Sequence, residues 1–285
     1  MSGLARTSGQ EALTLAPKPK TSQTILVEVN SRDRNYSAAN QTTNSFRFTF
    51  QRPIKDIQTL ELIGGTVPVP YAITSSNNAF TVVEGSTRNT ITLTPAFYTN
   101  ATAAAALQTA LNTMPGKANT YTAAVDATGA YLTVTRATGT APFTFLFLSG
   151  TPRDTTQAVN TPSTALGFAS DDYTHVNGVI QAPYPMDLFM SRIYVYIDFE
   201  STLSLSAIER GTGRRSPFGV IYFDQTTGGY KFLNKETVQQ TLYKLAQPLP
   251  RLQSLQIEFR DEFYHPVNFG GRELTLLLQF SGLVA

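Results

Sequence analysis

Short segments of alternating apolar and polar residues, separated by clusters of Asn, Asp, Ser, Gly and Pro, run through most of this 285-residue chain. In residues 46–50, FRFTF, three Phe alternate with Arg47 and Thr49. This is the period of a strand with one buried face and one exposed face. Such segments, repeated at short intervals without alternating helices, favour an all-β sandwich or barrel over a parallel α/β fold.

A single segment predicts a helix, residues 101–112, ATAAAALQTALN. Thr99 or Asn100 suits the N-cap, and Pro115 and Gly116 end the helix. Strand hairpins are predicted on both sides of it, one around Gly85 and one in the turn that ends at residue 129. A lone helix with a stripe of small residues packs flat on a sheet, so residues 76–172 are predicted to form an inserted α+β unit of hairpin, helix and hairpin.

The strand segments in residues 24–75 and 185–285 number about eight, which is what a jelly roll needs. The expected fold is therefore all-β, a single jelly roll of two facing antiparallel sheets from residues 24–75 and 173–285, with 76–172 inserted. Residues 192–199, RIYVYIDF, are largely apolar or aromatic on both faces and predict a central strand. Residues 218–224 and 230–234 predict a third hairpin, and 236–246 predict a strand rather than a helix.

Residues 1–23 show neither the period of a strand nor that of a helix, and Pro17 and Pro19 would interrupt either. We expect an extended N-terminal arm, whose Leu4, Leu13 and Leu15 suit docking on a neighbouring subunit. A disordered tail is the alternative.

The residues needed for most enzyme chemistry are scarce. The chain contains no Cys, which excludes disulfides and thiolate nucleophiles, and its two His, His175 and His265, are too few for a multi-histidine metal site. Both His lie in loop segments that favour a hydrogen-bonded structural role. The motifs of phosphate loops, dinucleotide folds, serine hydrolases and zinc proteases are missing. We therefore expect neither an enzyme nor a cofactor or metal.

Two pairs of adjacent acids, Asp171 with Asp172 and Asp261 with Glu262, are the candidates for a glycosidase site. Adjacent residues of a strand point to opposite faces, so these pairs are predicted to be turn and surface residues.

Basic residues are the predicted interaction residues. Three Arg stand between glycines in ERGTGRR, and the arm has an excess of positive charge, whereas the rest of the chain is nearly balanced. No aromatic stacking platform accompanies them, so specific nucleic-acid binding is not expected. The candidates for contacts with partners are Arg6, Lys18, Lys20, Arg210, Arg214 and Arg215.

No stretch approaches the length of apolar residues that crosses a bilayer, and the first 20 residues lack the apolar block of a secretory signal. We expect a soluble protein that is not exported by that route.

Several short motifs occur in an order and at spacings that resemble a known family. They are SRDRN at 31–35, the FRFTF strand, IQTLELIGGTVPVPYAI, SNNAFTV, the helix after AFYT, LGF at 166–168 and RIYVYIDF. This order, over about residues 25–280, resembles the jelly-roll penton and minor capsid proteins of large double-stranded DNA viruses and their satellite viruses, the virophages. The resemblance implies a shell wall with an inserted domain that projects outward, and it brings no enzymatic residues.

From this resemblance we expect a structural capsid protein located in the virion, assembled in the infected host cell. The first expectation is a penton protein, a homopentamer at the five-fold vertices of an icosahedral shell that contacts the major capsid protein. Its arm would reach an internal membrane or other minor capsid proteins. The alternatives are a minor protein that cements major-capsid trimers and, in a different class, a glycan- or receptor-binding β-sandwich module. The low content of charged residues, 15%, suits broad interfaces in either capsid role.

Overall fold

The computed structural model describes residues 21–37, 41–150, 161–199, 217–224, 229–234, 238–239 and 242–284. These ranges contain one α-helix, α1 (Asn100–Asn112), and one short 3-10 turn, Ser31–Asp33. The strands are β1 (Thr21–Asn30), β2 (Ser45–Pro68), β3 (Ala79–Glu84), β4 (Thr87–Thr92), β5 (Thr120–Val125), β6 (Leu132–Thr138), β7 (Phe143–Leu146), β8 (Asp172–Thr174), β9 (Val179–Gln181), β10 (Arg192–Phe199), β11 (Gly219–Tyr222), β12 (Tyr230–Leu233), β13 (Val238–Gln239), β14 (Leu242–Arg260) and β15 (Thr275–Val284).

The largest sheet has eight antiparallel strands in the order β1-β15-β2-β14-β10-β11-β13, with β12 pairing to β2. Its strand β2 is 24 residues long and belongs to both layers of the fold. Phe50, in the first half of β2, contacts Phe280 with ring centroids 5.7 Å apart, and Phe280 pairs with Leu60 in the second half of β2. The sheet therefore curls until two antiparallel layers face each other, which confirms the predicted all-β, jelly-roll-like fold.

The curl depends on irregularities in the pairing of β2. The register with β15 shifts between Leu277 and Leu278, beside the two glycines of β2. Gly65 has a φ of +138°, and a Cβ added there would lie 2.2 Å from the carbonyl oxygen of Thr275. Only glycine fits this close approach of two backbones.

We expect Gly65→Ala to lower the free energy of unfolding by about 2 kcal/mol or more, because the substitution adds both backbone strain and a clash. Gly64→Ala is the control, since its added Cβ would come no closer than 3.4 Å to Leu233 O. Urea unfolding of both variants measures the difference. Equal stability of the two variants would contradict this account of the curl.

Inward-facing side chains of this sheet form the first of two hydrophobic cores. Phe46, Leu60, Ile257 and Leu276 are completely buried in it. They alternate with exposed or half-buried neighbours along their strands, as the sequence predicts for FRFTF.

A smaller unit lies between β2 and β10 in the chain. It contains a four-stranded sheet, β4-β3-β7-β8, a three-stranded sheet, β5-β6-β9, and the helix α1. The β3–β4 and β5–β6 pairings and the helix confirm the predicted hairpin, helix and hairpin. Thr99 caps the helix, since its hydroxyl accepts from the backbone N–H of Thr102, whose own hydroxyl accepts from the N–H of Thr99. Buried Leu107 and Leu111 join the helix to the second core.

The two cores use different stretches of chain. The buried residues of the second lie between Ile73 and Met186, and those of the first lie on either side of that stretch. The division into domains at residues 76 and 172 stays a prediction. β8 and β9 extend past residue 172 and pair with β7 and β6 of the smaller unit.

The predicted third hairpin is wrong. β11 pairs with β10 and β13, whereas β12 pairs with Gly65–Pro68 of β2. Each of the two strands takes its hydrogen-bonding partners from other strands of the sheet. The central position of β10, between β14 and β11, is confirmed. The described residues of 236–246 are strand and not helix, as predicted, but they belong to two strands, β13 and the start of β14.

Residues 21–23 of the predicted arm begin β1 and pair with β15. Within the described ranges, no helix has the length and apolar content to cross a membrane.

Candidate interaction surfaces

The six basic residues predicted to contact partners all lie outside the described part of the chain: Arg6, Lys18, Lys20, Arg210, Arg214 and Arg215. Their roles stay predictions.

The candidate acids have structural partners. Asp172 accepts hydrogen bonds from the backbone N–H groups of Leu148 and Ser149, at 2.8 and 3.1 Å. Asp261 accepts in the same way from the N–H groups of Phe263 and His265, at 2.9 and 2.7 Å. Asp261 thus organises a turn, as the sequence predicts, whereas Asp172 is the first residue of β8 and holds the segment that follows β7.

The two histidines are also held by neighbours. His175 Nδ1 accepts from the N–H of Gly178 at 3.0 Å, and its ring stacks on Phe143 at a centroid distance of 4.9 Å. His265 Nδ1 lies 3.2 Å from a carboxylate oxygen of Asp261. Among the residues described, no three His, Asp or Glu side chains cluster so as to hold a metal ion. The geometry fits the structural role predicted for both histidines.

A small cleft lies where the two cores meet. Its lining includes His265, Asp261 and the ion pair of Arg192 with Glu262. Its volume is about 130 Å³, below the range of about 300–1,000 Å³ that is usual for ligand pockets. The titratable groups that come together there therefore have little room for a substrate.

The smaller unit contains a buried carboxylate, Glu84, which is 3% exposed. Its oxygens accept hydrogen bonds from the hydroxyl of Tyr121 and, at 2.7 Å, from the backbone N–H of Ala118. Asn119 donates to the Tyr121 hydroxyl oxygen at 3.2 Å. Burial, and then the hydrogen bond to Glu84, raise the pKa of Tyr121 far above its ordinary value. This network, the Glu84 cluster, ties β3 to β5 and leaves the carboxylate enclosed.

Among the sheet residues whose exposure the structure describes, three large apolar side chains of the eight-stranded sheet are more than half exposed. They are Leu26 on β1 at 58%, Phe232 on β12 at 73% and Leu242 on β14 at 53%. Exposed aromatic and aliphatic groups of this size on a strand surface are typical of interaction sites when they lie together.

The strand register places these side chains on the same face of the sheet. Directly paired residues point the same way, and Leu26, Gln279, Glu61 and Leu242 form one row of pairs across four strands. A second row joins Asn30, Thr275, Thr66 and Phe232. Half-buried Leu277 and Ile63 lie between the rows. We call this surface the outer apolar face: Leu26, Ile63, Phe232, Leu242 and Leu277.

The sequence contains a signal for this face that composition does not show. Ile25, Leu26 and Val27 are consecutive apolar residues in β1, where a strand with one exposed face would alternate. Ile25 and Val27 point to the core, and Leu26 points out.

A second surface opens between the two layers. A groove of about 810 Å³, which we call the open groove, runs along β1 and the first half of β2, and its apolar walls include Ile25, Val27, Phe48 and Phe50. In the described ranges, β1 pairs on one side only, with β15, and the paired residues in Ser45–Thr49 of β2 have β14 as their one neighbouring strand.

The two ends of the open groove differ in charge. Phe50 lies near Ile25, because it contacts Phe280, the partner of Ile25. Gly282 of β15 pairs with Gln23 of β1 and with Ile57 of β2. The residues of β2 just before Ile57 therefore lie near the start of β1. Arg52 and Lys55 therefore line one end of the groove, and Asp33 lines the other.

Comparisons with known proteins give a likeness of structure but no match of sequence. No protein-family model matches this chain, and no curated protein sequence matches it. Among solved structures, the chain is similar to the crystal structure of selenomethionine-labelled mavirus penton protein, with a TM-score of 0.48 and 11% sequence identity. The alignment covers 92% of this chain and 100% of that one.

Proposed function

We propose that this chain is a structural protein of a viral capsid, and specifically the penton protein at the five-fold vertices of an icosahedral shell. The observation that carries the proposal is the outer apolar face on the wall of a jelly-roll-like fold. The resemblance of the sequence motifs to penton and minor capsid proteins supports the same class.

The physical basis is the position of the apolar side chains. A soluble monomer rarely gathers several large, exposed apolar groups on one rigid sheet, because covering them with a partner is favourable by about 25 cal/mol per Å². Phe232 is 73% exposed, so most of the free energy of burying its side chain would be released only when a partner covers it. A sheet is also a firm support, so contacts made through it fix the geometry of an assembly.

The chain presents two different surfaces, the outer apolar face and the open groove. A two-fold dimer needs one self-complementary patch, whereas a ring is made by two distinct patches that meet head to tail. Two surfaces of different chemistry on one subunit therefore favour a closed ring, which in the proposed shell is a homopentamer.

The smaller unit has its own core and is the proposed outer projection. The proposed neighbours of the ring are the major capsid protein and, through the N-terminal arm, other minor capsid proteins or an internal membrane. A cement protein between major-capsid trimers would use the same outer apolar face, and its copies would lie away from the vertices of the virion.

Light scattering coupled to size-exclusion chromatography tests this proposal on the full chain. We expect a species of five times the 31.1 kDa chain mass. Phe232→Asp should shift it to the monomer, because a charge would be buried in the interface. Val176→Asp is the matched control, since Val176 is 72% exposed but lies outside the outer apolar face. A wild-type chain that stays monomeric at all concentrations, or a Phe232→Asp variant that assembles normally, would sink the proposal.

A further inference from the structure

We propose that the polar crevice, a cavity lined by Arg34 and by residues of the loops 41–44, 74–76 and 266–271, binds a neutral sugar unit. The three loops precede β2, β3 and β15, so two belong to the eight-stranded sheet and one leads into the smaller unit. The volume of about 490 Å³ lies within the range of about 300–1,000 Å³ that is usual for ligand pockets. The site lies within one subunit, so the inference does not depend on assembly.

The lining of the polar crevice is polar but has little net charge. Among its described residues only Arg34 is charged, and Nη1 of Arg34 donates to a carboxylate oxygen of Glu273 at 2.6 Å. Hydroxyl and amide side chains supply most of the remaining lining: Gln41, Thr42, Thr43, Asn44, Thr74, Ser75, Ser76 and Asn268. Because the ion pair neutralises the guanidinium, hydrogen bonds decide what the crevice binds.

Two amide side chains have free donors. The Oε1 atom of Gln41 accepts from the backbone N–H of Asn35 at 3.0 Å, and the Oδ1 atom of Asn268 accepts from the N–H of Gly270 at 2.8 Å. A backbone N–H needs an oxygen as its partner, so the orientation of both amides is fixed. Within the described ranges, neither side-chain NH₂ group has an acceptor. A ligand with several hydroxyl oxygens supplies such acceptors.

Thr43 adds a hydroxyl group at a buried position. The residue is 8% exposed and lines the crevice, and its hydroxyl makes no hydrogen bond to the part of the chain that the structure describes. A hydroxyl can donate one hydrogen bond and accept others, so it pairs with a sugar hydroxyl in either direction.

The crevice also offers apolar surface for the C–H groups of a sugar ring. Buried Val267 and Phe269 and exposed Pro266 belong to its lining. Tyr36 lies beside it, because the guanidinium of Arg34 is 4.3 Å from the centroid of the Tyr36 ring. Tyr36 is 64% exposed, so the ring face away from Arg34 is open to a ligand. An aromatic ring with a polar end suits a ligand that is partly apolar and partly hydrated.

The contacts of Arg34 disfavour an acidic sugar. Its Nη1 atom donates both to Glu273 and, at 2.5 Å, to the carbonyl oxygen of Ser31. A ligand carboxylate at this guanidinium would therefore lie close to the carboxylate of Glu273, and like charges at such a distance repel. The geometry assigns the crevice to uncharged sugars.

Saturation-transfer NMR titrations of the full chain test the class of ligand. The probes are the methyl glycosides of glucose, galactose, mannose, fucose and N-acetylglucosamine, with N-acetylneuraminic acid as the acidic probe. We expect at least one neutral probe to bind at least tenfold more tightly than the acidic one. Binding of none of the five neutral probes, or tighter binding of the acidic probe, would overturn the inference.

Substitutions at Thr43 test the site with almost no change of shape. Thr43→Val removes the hydroxyl and should weaken binding of the neutral probe about fivefold or more, whereas Thr43→Ser keeps the hydroxyl and should stay within about twofold of the wild type. Thr90→Val is the control, because Thr90 is an exposed threonine on β4. Unchanged affinity in Thr43→Val would place the sugar elsewhere and overturn the assignment.

Tyr36→Ala provides a second test at an exposed position, where folding is not at risk. We expect it to weaken binding about fivefold or more, because it removes the stacking surface. Tyr184→Ala, a tyrosine of the smaller unit that is 58% exposed, should bind as the wild type does. Equal affinity of the Tyr36→Ala and Tyr184→Ala variants would contradict the proposed stacking and with it this site.

Discussion

Replacing Phe280 with Ala is expected to lower the free energy of unfolding by about 3–5 kcal/mol, the usual cost of removing a buried aromatic side chain. Phe280 is 1% exposed and lies in the first core. Its ring meets Phe50 edge to face, and that contact joins the two layers of the curled sheet. The truncation therefore removes apolar contacts and leaves a cavity between the layers that neither layer can fill without changing the curl.

Urea unfolding followed by circular dichroism measures this loss, at concentrations where the chain is monomeric. Phe232→Ala serves as the control, because it removes the same side chain from the same sheet at a position that is 73% exposed. We expect that control to lie within about 0.5 kcal/mol of the wild type. A similar loss in both variants would show that Phe280 does not hold the layers together.

The all-β class and the local elements were predictable because they depend on short-range patterns. FRFTF alternates strictly, and the Thr99 cap precedes a run of strong helix formers. The paired strands β3 and β4 are joined by Gly85, whose positive φ suits a tight turn. In each of these cases the information lies within about a dozen residues.

The path of β2 was not predictable in the same way. Residues 46–50 and 60–69 read as separate strands, because Pro53 and the charged residues around it resemble a turn. The structure joins them in one strand, since β14 pairs along both halves and a register shift between Leu252 and Ser254 absorbs the interruption. The partner of a strand is decided by residues about 200 positions away, which local patterns do not contain.

The open groove follows from that long-range pairing. Its walls come from β1 and from the first half of β2, and it exists because β15 pairs with β2 only from Ile57 onward. The outer apolar face is easier to predict from the sequence, because the consecutive apolar residues around Leu26 indicate a strand with apolar groups on both sides. The six basic candidates lie outside the described residues, so their part in assembly rests on the sequence.

Removing the carboxylate of the Glu84 cluster is the second large expected effect. Glu84→Ala leaves the buried Tyr121 hydroxyl and the part-buried Ala118 N–H without their acceptor. Leaving a buried donor unsatisfied costs about 1–3 kcal/mol, so with both donors affected we expect a loss of about 2 kcal/mol or more. Glu262→Ala is the matched control, because its ion pair with Arg192 is nearly half exposed and is worth about 1 kcal/mol or less.

Calorimetry of the two destabilised variants also tests the predicted domain division. Glu84 lies in the smaller unit and Phe280 in the first core, and the residues of the two cores come from separate stretches of chain. If the units unfold independently, Glu84→Ala should lower one transition and Phe280→Ala the other. If both substitutions lower a single shared transition, the smaller unit is a cooperative part of the jelly-roll wall. In that case a force applied to the smaller unit would be transmitted directly to the eight-stranded sheet.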